Sequence, residues 1–465
     1  LTPCAGVPWP AKVGAIGAFD DGEGTMHAPK PISFNDLVEQ HLGRRLPAAL
    51  AGMIDLAALP PEAQEIVRRM LALMQRAAYP ASEFNPLMLH LLGVVTPAML
   101  PAAWGGRIPP VTLPGRHRKL DAYLAQQRWP ADSGRPVLVD LGCGFPPVTT
   151  AETAAALAHW TVFGVDRAFA PYVLYDAAGH YASFDREGRF QYFQPRSKPL
   201  HADAAEARAR FEALFAAMAP LLEPGAGRAG RTVEQDGHKL VADQVRDFET
   251  PHLKFIEADL EALRLPPARV VRCMNVLLYF ESKARRRMLA AIAARLADEG
   301  LLLAGFNHPC GIYARYTVYR KAAAGLAPVE FAFGADNLRP LGVGPWLALQ
   351  AEDAEAEFLA DLTGAIRSDR AFWPDFNRAV DAQLAELGVC RRGADGFNRF
   401  PGEVLNAPPK TLWDKTRALW RTLAGAGYTD GAVAALRRAG YRAWKNPVGD
   451  IAVRPPDGAL DRPCA

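Results

Sequence analysis

The segment Val137–Thr150, VLVDLGCGFPPVTT, constrains this chain more than any other. A short apolar run, Val137-Leu138-Val139-Asp140, ends in Gly142-Cys143-Gly144. A helical stretch follows over Ala151–Ala158, and a second apolar run, Val162-Phe163-Gly164-Val165-Asp166, comes after it. Strand, glycine turn, helix, strand is the opening unit of a doubly wound α/β sheet. Glycines after a parallel strand let the backbone approach a ligand, and the next helix turns its N-terminus toward it. A dinucleotide fingerprint wants a third glycine where this chain has Pro147, which speaks against NAD as the ligand.

The rest of the sheet is legible downstream. Leu253–Asp259 reads as a third strand and Val270–Val276 as a fourth. A helix with Met288, Leu289, Ile292 and Leu296 on one face leads to a fifth, Leu301–Phe306. Asp430–Ala439 reads as a helix. Tyr441–Trp444 and Asp450–Val453 then read as a closing hairpin around Asn446-Pro447-Val448-Gly449. Residues 308–425, with Trp346, Trp373, Trp413 and Trp420, are therefore expected to form a mixed insertion before the last two strands. Between the second and third strands lie three aromatic-rich runs, from Tyr172 to Gln194, which read as an antiparallel meander. An amphipathic helix with Phe211, Leu214, Phe215 and Met218 follows, and then a loop over 223–232.

Upstream, residues 31–125 read as helical. Ser33 followed by Asp36 is an N-cap signal, and Ile66, Met70, Leu73 and Met74 share a face of a helix starting near Pro61. This region is expected to be a cap on the core, a lid, or both. The Pro-rich stretch 97–114 reads as a loop. The expected organisation is a disordered extension over 1–30, a helical N-terminal region over 31–125, a core over 126–307 with its meander at 172–194, the insertion over 308–425, and a closing helix, hairpin and tail over 426–465. Met26 precedes the first cap signal, so residues 1–25 are expected to be dispensable.

VLVDLGCG resembles motif I of class I S-adenosylmethionine-dependent methyltransferases, roughly (V/L)-L-D-(L/V)-G-C-G. The following Phe-Pro-Pro departs from that family's usual Thr/Ser-Gly. The resemblance implies a Rossmann-like α/β core of seven strands and S-adenosyl-L-methionine as cofactor. It places Asp140, Gly142, Gly144 and Phe145 in the glycine motif. It gives Asp166, at the end of the second strand, the ribose hydroxyls, and Asp259, after the third, the adenine amino group. The segment RCMNVLLYF (272–280) is similar to C-R-N-V-L-I-Y-F of chemotaxis-receptor glutamate methyltransferases, from Val270 to about Phe306. That likeness implies a cofactor-side role for Asn275. The family's arginine is Met274 here, and its G-E-E ending of motif I is missing, so the receptor substrate is not carried over.

A sulfonium methyl is already activated, so the protein mainly has to align a nucleophile with it. Candidates for catalysis at strand ends are Tyr279 and His308. Candidates for contact with the acceptor are Tyr172, His180, Tyr181 and Tyr192 on the meander. The function expected is methyl transfer to a small organic molecule or a peptide side chain. Protein carboxyl methylation is the alternative. A non-catalytic S-adenosylmethionine-binding partner subunit is the alternative from another class.

Composition narrows the partners. The 465 residues carry 53 basic and 50 acidic side chains, so the net charge of +3 argues for neither a nucleic-acid nor a membrane partner. No apolar run reaches the roughly 18 residues of a membrane helix. Six dispersed cysteines, Cys4, Cys143, Cys273, Cys310, Cys390 and Cys464, form no C-x-x-C pair, so no metal site is expected and reduced thiols in a cytoplasm are. Cys143 and Cys273 read as buried apolar fillers. The abundance of Ala, Arg, Gly and Pro is bacterial-like.

Overall fold

A computed structural model describes residues 32–101, 112–129, 134–194, 204–222, 231–259, 264–308, 311–407 and 409–460. The expectations for residues 1–30, for Cys4, Cys310 and Cys464, and for much of the two loops lie outside the described residues.

The chain enters through helix α1 (Phe34–Leu42). Ser33 Oγ accepts the Asp36 amide while Asp36 accepts the Ser33 amide, the reciprocal cap that the sequence signals. Helix α2 (Pro61–Arg76) buries Ile66, Val67, Met70, Leu71 and Met74. Met70 and Met74 pack with Phe84, Met88, Leu92 and Trp346 in one core. Helix α3 (Arg118–Ala125) then leads to the sheet.

The elements that follow are β1 (Val137–Leu141), α4 (Val148–Ala156) and β2 (Thr161–Asp166), then β3 (Tyr172–Tyr175), β4 (Tyr181–Phe184), β5 (Phe190–Gln194), α5 (Ala204–Met218), β6 (Thr232–Gln235) and β7 (His238–Ala242). After them come β8 (Leu253–Glu257), β9 (Ala268–Met274), α6 (Ser282–Arg295), β10 (Leu296–Phe306), β11 (Arg315–Ala322) and β12 (Gly325–Phe333). The chain closes with α7 (Ala354–Ser368), α8 (Trp373–Glu386), the short pair β13 (Arg391–Arg392) and β14 (Asn398–Arg399), α9 (Pro409–Gly425), α10 (Tyr428–Arg438), β15 (Ala443–Lys445) and β16 (Ile451–Val453).

The main sheet has the order β15-β16-β12-β11-β10-β9-β1-β2-β8. Its β8-β2-β1-β9-β10 half is wholly parallel. The chain first builds outward from β1 through β2 to β8, then crosses back to β9 and β10. That reversal makes the Rossmann-like fold, and the point beyond the carboxyl ends of β1 and β9 is where sheets of this kind carry their ligand crevice. Both faces are covered, which is why these strands read as continuous apolar runs. Leu138, Val270, Met274 and Leu303 pack against Leu120 and Leu124 of α3. Val139, Val271, Cys273 and Leu302 pack against Ile292 of α6.

Three features differ from expectation. The sheet has nine strands rather than seven. The place beside the fifth strand belongs to β11, antiparallel to β10, with β12 outside it; both come from the stretch expected to be an insertion. The β15–β16 hairpin forms as expected, but adds outside β12 through Phe333–Ile451 pairing. The reason lies in chain order: β11 follows β10 directly, and an antiparallel neighbour needs only a short connection. Finally, the meander is part of a five-stranded sheet, β5-β4-β3-β7-β6, whose last two strands lie beyond α5. Thr232–Ala242 pair as a hairpin around Asp236-Gly237, both at positive φ, a two-residue turn suited to that dipeptide.

Candidate active site

The glycine turn sits at the carboxyl end of β1. Gly142 has φ +66°, and a Cβ there would overlap Val276 Cγ2, so both the conformation and the close approach require glycine. The amides of Gly142 and Cys143 donate to Val165 O at 2.8 and 3.3 Å, which ties the turn to the end of β2. Gly144, at φ +69°, donates its amide to Asp166 Oδ2 at 3.0 Å. The Arg167 amide donates to Asp166 Oδ1 at 2.8 Å. Burial pushes the Asp166 carboxyl above its ordinary range, against the lowering effect of those amides.

Asp140 faces away from this opening. It is the register partner of Arg272 on β9, and Arg272 Nε and Nη2 donate to its two oxygens at 2.9 and 2.6 Å. Thr150 Oγ1 of α4 donates to Asp140 Oδ2 at 2.6 Å. Arg272 also donates to Asp121 of α3 and to Thr153 of α4, at 2.9 and 2.8 Å. The arginine is completely buried. Asp140 thus supports the turn from beneath, within a charge cluster that binds α3, α4, β1 and β9 together. Arg272 was not among the expected site residues. Its signal was the arginine inside the apolar run VVRCM (270–274).

At the ends of β9 and β10 the structure joins Asn275 to Asn307. Asn275, at φ +60°, donates through Nδ2 to Asn307 Oδ1 at 2.8 Å and accepts the Asn307 amide at 3.1 Å. Arg116 donates to Asn307 Oδ1 and O at 3.0 and 2.8 Å, and Asn307 Nδ2 donates to Arg116 O at 2.9 Å. His117 Nδ1 lies 3.2 Å from Asn307 Nδ2. Asn307, Arg116 and His117 went unseen in the sequence, because nothing in residues 112–117 hints at a partner nearly two hundred residues away.

His308 follows Asn307, its ring edge-on to those of Tyr313 and Trp413. Burial, then the Arg116 charge, push its pKa down to about 3. Tyr279 sits on the turn after β9, and burial pushes its phenol up to about 12 while Arg116 opposes. Asp259 lies two residues beyond β8, mostly exposed, with Arg167 Nε at 3.5 Å.

The second sheet divides the aromatic candidates by face. Register pairs Tyr172 with Phe184, Tyr175 with Tyr181, and Ser183 with Tyr192. Alternation then puts Tyr172, Leu174, Ala182, Phe184 and Phe193 on one face, against Phe211 and Phe215 of α5. Tyr172 lies edge-on to Phe215. Val173, Tyr175, Tyr181 and Tyr192 take the opposite face. There Val173 and Tyr181 pack with Cys143 and Phe145 of the glycine turn, and Tyr181 Oη donates to Phe145 O at 3.4 Å. Burial raises the Tyr192 phenol, which is close enough to Tyr181 and Tyr279 to be raised further by each. Tyr181 and Tyr192 therefore approach the crevice, whereas Tyr172 belongs to the helix side. His180 stands in the β3–β4 turn with its ring near Phe193, also on the helix side.

No family model and no curated protein matches the chain. Among solved structures, 82 chains match. One is an O-methyltransferase family protein from Burkholderia thailandensis, at 14% identity and TM-score 0.17 over 36% of this chain and 32% of that one. Another is the N-methyltransferase NodS from Bradyrhizobium japonicum in complex with S-adenosyl-L-homocysteine, at 11% and 0.20 over 41% of this chain and 58% of that one. A third is CalS10, an amino pentose methyltransferase from Micromonospora echinaspora, at 16% and 0.18 over 47% of this chain and 70% of that one. The chain thus spans less than two thirds of the first two, and the fold stands on the strand order given above.

The groups converging on the crevice are mostly hydrogen-bond donors. Tyr181, Tyr192 and Tyr279 stay protonated at neutral pH, since burial raises each. His308 is neutral, with a conjugate acid too strong to hold a proton there. Among the described residues no group of His, Cys, Asp and Glu could hold a metal ion, and no helix is long and apolar enough to cross a membrane.

Proposed function

We propose that this chain is an S-adenosylmethionine-dependent methyltransferase acting on a small organic molecule or a peptide side chain. The observation that carries the reading is the junction of Gly144 with Asp166 at the crevice beside β1. The Asp166 carboxylate accepts the backbone amides of Gly144 and Arg167 and is held by that of Ala168 as well. A carboxylate has about four lone-pair sites, so beside these amides it can still accept from a hydroxyl such as that of a ribose. Cys143 is buried, Gly144 carries no side chain and lets the methionine portion approach the backbone, and Asn275 borders it from β9. The cofactor, when bound, supplies an activated methyl group.

The residues of the chain then do three things. Gly144 and Asp166 orient the ribose, Asn275 and Asn307 fix the far wall, and the Tyr181–Tyr192 face closes the crevice against water. Because the tyrosines are donors and His308 a weak base, the fitting acceptor is a nucleophile that needs no proton removed before attack: a neutral amine or an already ionised oxygen. Titration calorimetry tests the reading. S-adenosylmethionine and S-adenosylhomocysteine should bind and NAD should not; NAD binding without response to either sulfur compound overturns it.

A further inference from the structure

A second cleft opens at the other end of the main sheet, around the closing hairpin. It has a volume of about 440 Å³ and is lined by Val329, Arg437, Tyr441, Arg442, Ala443, Trp444 and Arg454. In the sheet it lies six strand positions from β1, roughly 30 Å at the usual strand spacing. It is therefore separate from the crevice that holds Asp166.

Three arginines and no acidic side chain line this cleft. The Arg454 amide donates to Arg442 O at 3.0 Å, so these two residues face each other across the open end of the β15–β16 hairpin. Like charges placed opposite one another on a sheet destabilise it unless something lies between them. Neither makes an ion pair with any described residue. Alternation puts Trp444 on the same sheet face as both. The third arginine, Arg437, comes from the end of α10, and its Nε donates to Ala443 O at 2.8 Å, which holds its guanidinium beside β15.

We propose that this cleft binds a small phosphate ester with a flat body, of the nucleoside monophosphate kind. A carboxylate is satisfied by one guanidinium fork, whereas the terminal oxygens of a phosphate dianion can take up three. The cleft is larger than phosphate alone fills and falls in the size range of small-ligand sites. Trp444 offers the flat body an aromatic surface beside the charge.

Calorimetric titration of the full chain with uridine monophosphate, uridine and inorganic phosphate tests this, using a pyrimidine nucleotide to stay clear of an adenosine-binding crevice. The monophosphate should saturate at one site, inorganic phosphate should bind at least about tenfold more weakly, and uridine should show no binding. Arg442→Gln/Arg454→Gln changes two exposed side chains and should weaken the monophosphate at least about tenfold, while S-adenosylmethionine binds as in the parent. Trp444→Leu should weaken the monophosphate but leave inorganic phosphate unchanged. A linear, unsaturable response to all anions overturns the proposal, as does saturable binding that the double variant leaves intact.

Discussion

Arg272 and Asp140 face each other on adjacent parallel strands as a two-pronged ion pair beneath the glycine turn, with the arginine wholly enclosed. Replacing Arg272 by Met strands two carboxylates, Asp140 and Asp121, in an apolar layer. Removing one partner of a buried pair costs about 3–5 kcal/mol. Urea unfolding should show a loss of this size, and Asp140→Asn in the Arg272→Met background should recover part of it. Equal stability of Arg272→Met and the parent would mean that the cluster contributes nothing to the fold.

Gly142→Ala should destabilise by about 2–4 kcal/mol, combining left-handed strain with overpacking against Val276. Adding Val276→Ala removes the overlap but not the strain. Thermal melts of the two variants should therefore show partial rescue. Full rescue would assign the whole cost to packing.

Asp166→Ala should weaken S-adenosylmethionine by roughly 1.5–3 kcal/mol, the range for hydrogen bonds to a charged group. The loss of the Gly144 tether adds a modest drop in melting temperature. Unchanged affinity by calorimetry would remove Asp166 from the ribose site.

The two faces of the second sheet should separate in mutagenesis. Tyr172→Ala empties a contact with Phe215 and should cost on the order of 2 kcal/mol of stability with little effect on transfer. Tyr181→Phe and Tyr192→Phe keep the rings and remove hydroxyls near the crevice, so KM for the acceptor should rise at near-parent melting temperature. The reverse pattern would move the acceptor to the helix side.

His308 gives the pH prediction. Its folded pKa, about 3, lies below the ordinary value of 6.5. Between those limits the unfolded chain takes up a proton that the folded chain refuses. This contribution to stability is present above pH 6.5 and is lost as pH falls toward 3, with a slope of at most about 1.4 kcal/mol per unit. The residue keeps some solvent exposure, so the realised loss is smaller. From pH 7 to pH 4.5 the parent should lose more stability than His308→Gln, by roughly 1 kcal/mol.

The parallel half of the sheet was legible because its central strands β1, β9 and β10 are largely buried and because three strands end in a chemically distinct residue: glycine after β1, Asp166 closing β2, Asn275 after β9. What was lost involves partners distant in sequence. Asp140 reads as a ligand-side acid until Arg272 takes both its oxygens, and Arg116 reads as a loop residue until Asn307 meets it. Tyr172 takes the face opposite Tyr181 for a local reason. Alternation carried across the turns between strands does not keep its phase, and only the pairing of Tyr172 with Phe184 fixes it. The β6–β7 hairpin had a usable signal, Asp236-Gly237, hidden by the polar residues around it.

The second sheet leaves the main one after Asp166 and rejoins it at Leu253, so residues 167–252 stand where a parallel crossover needs only about a dozen residues. The five parallel strands β8, β2, β1, β9 and β10 lie outside that excursion, which meets the glycine turn through Val173 and Tyr181. A change of length or sequence within 167–252 therefore leaves the strand order and the Arg272 cluster untouched and alters only what faces Cys143 and Phe145.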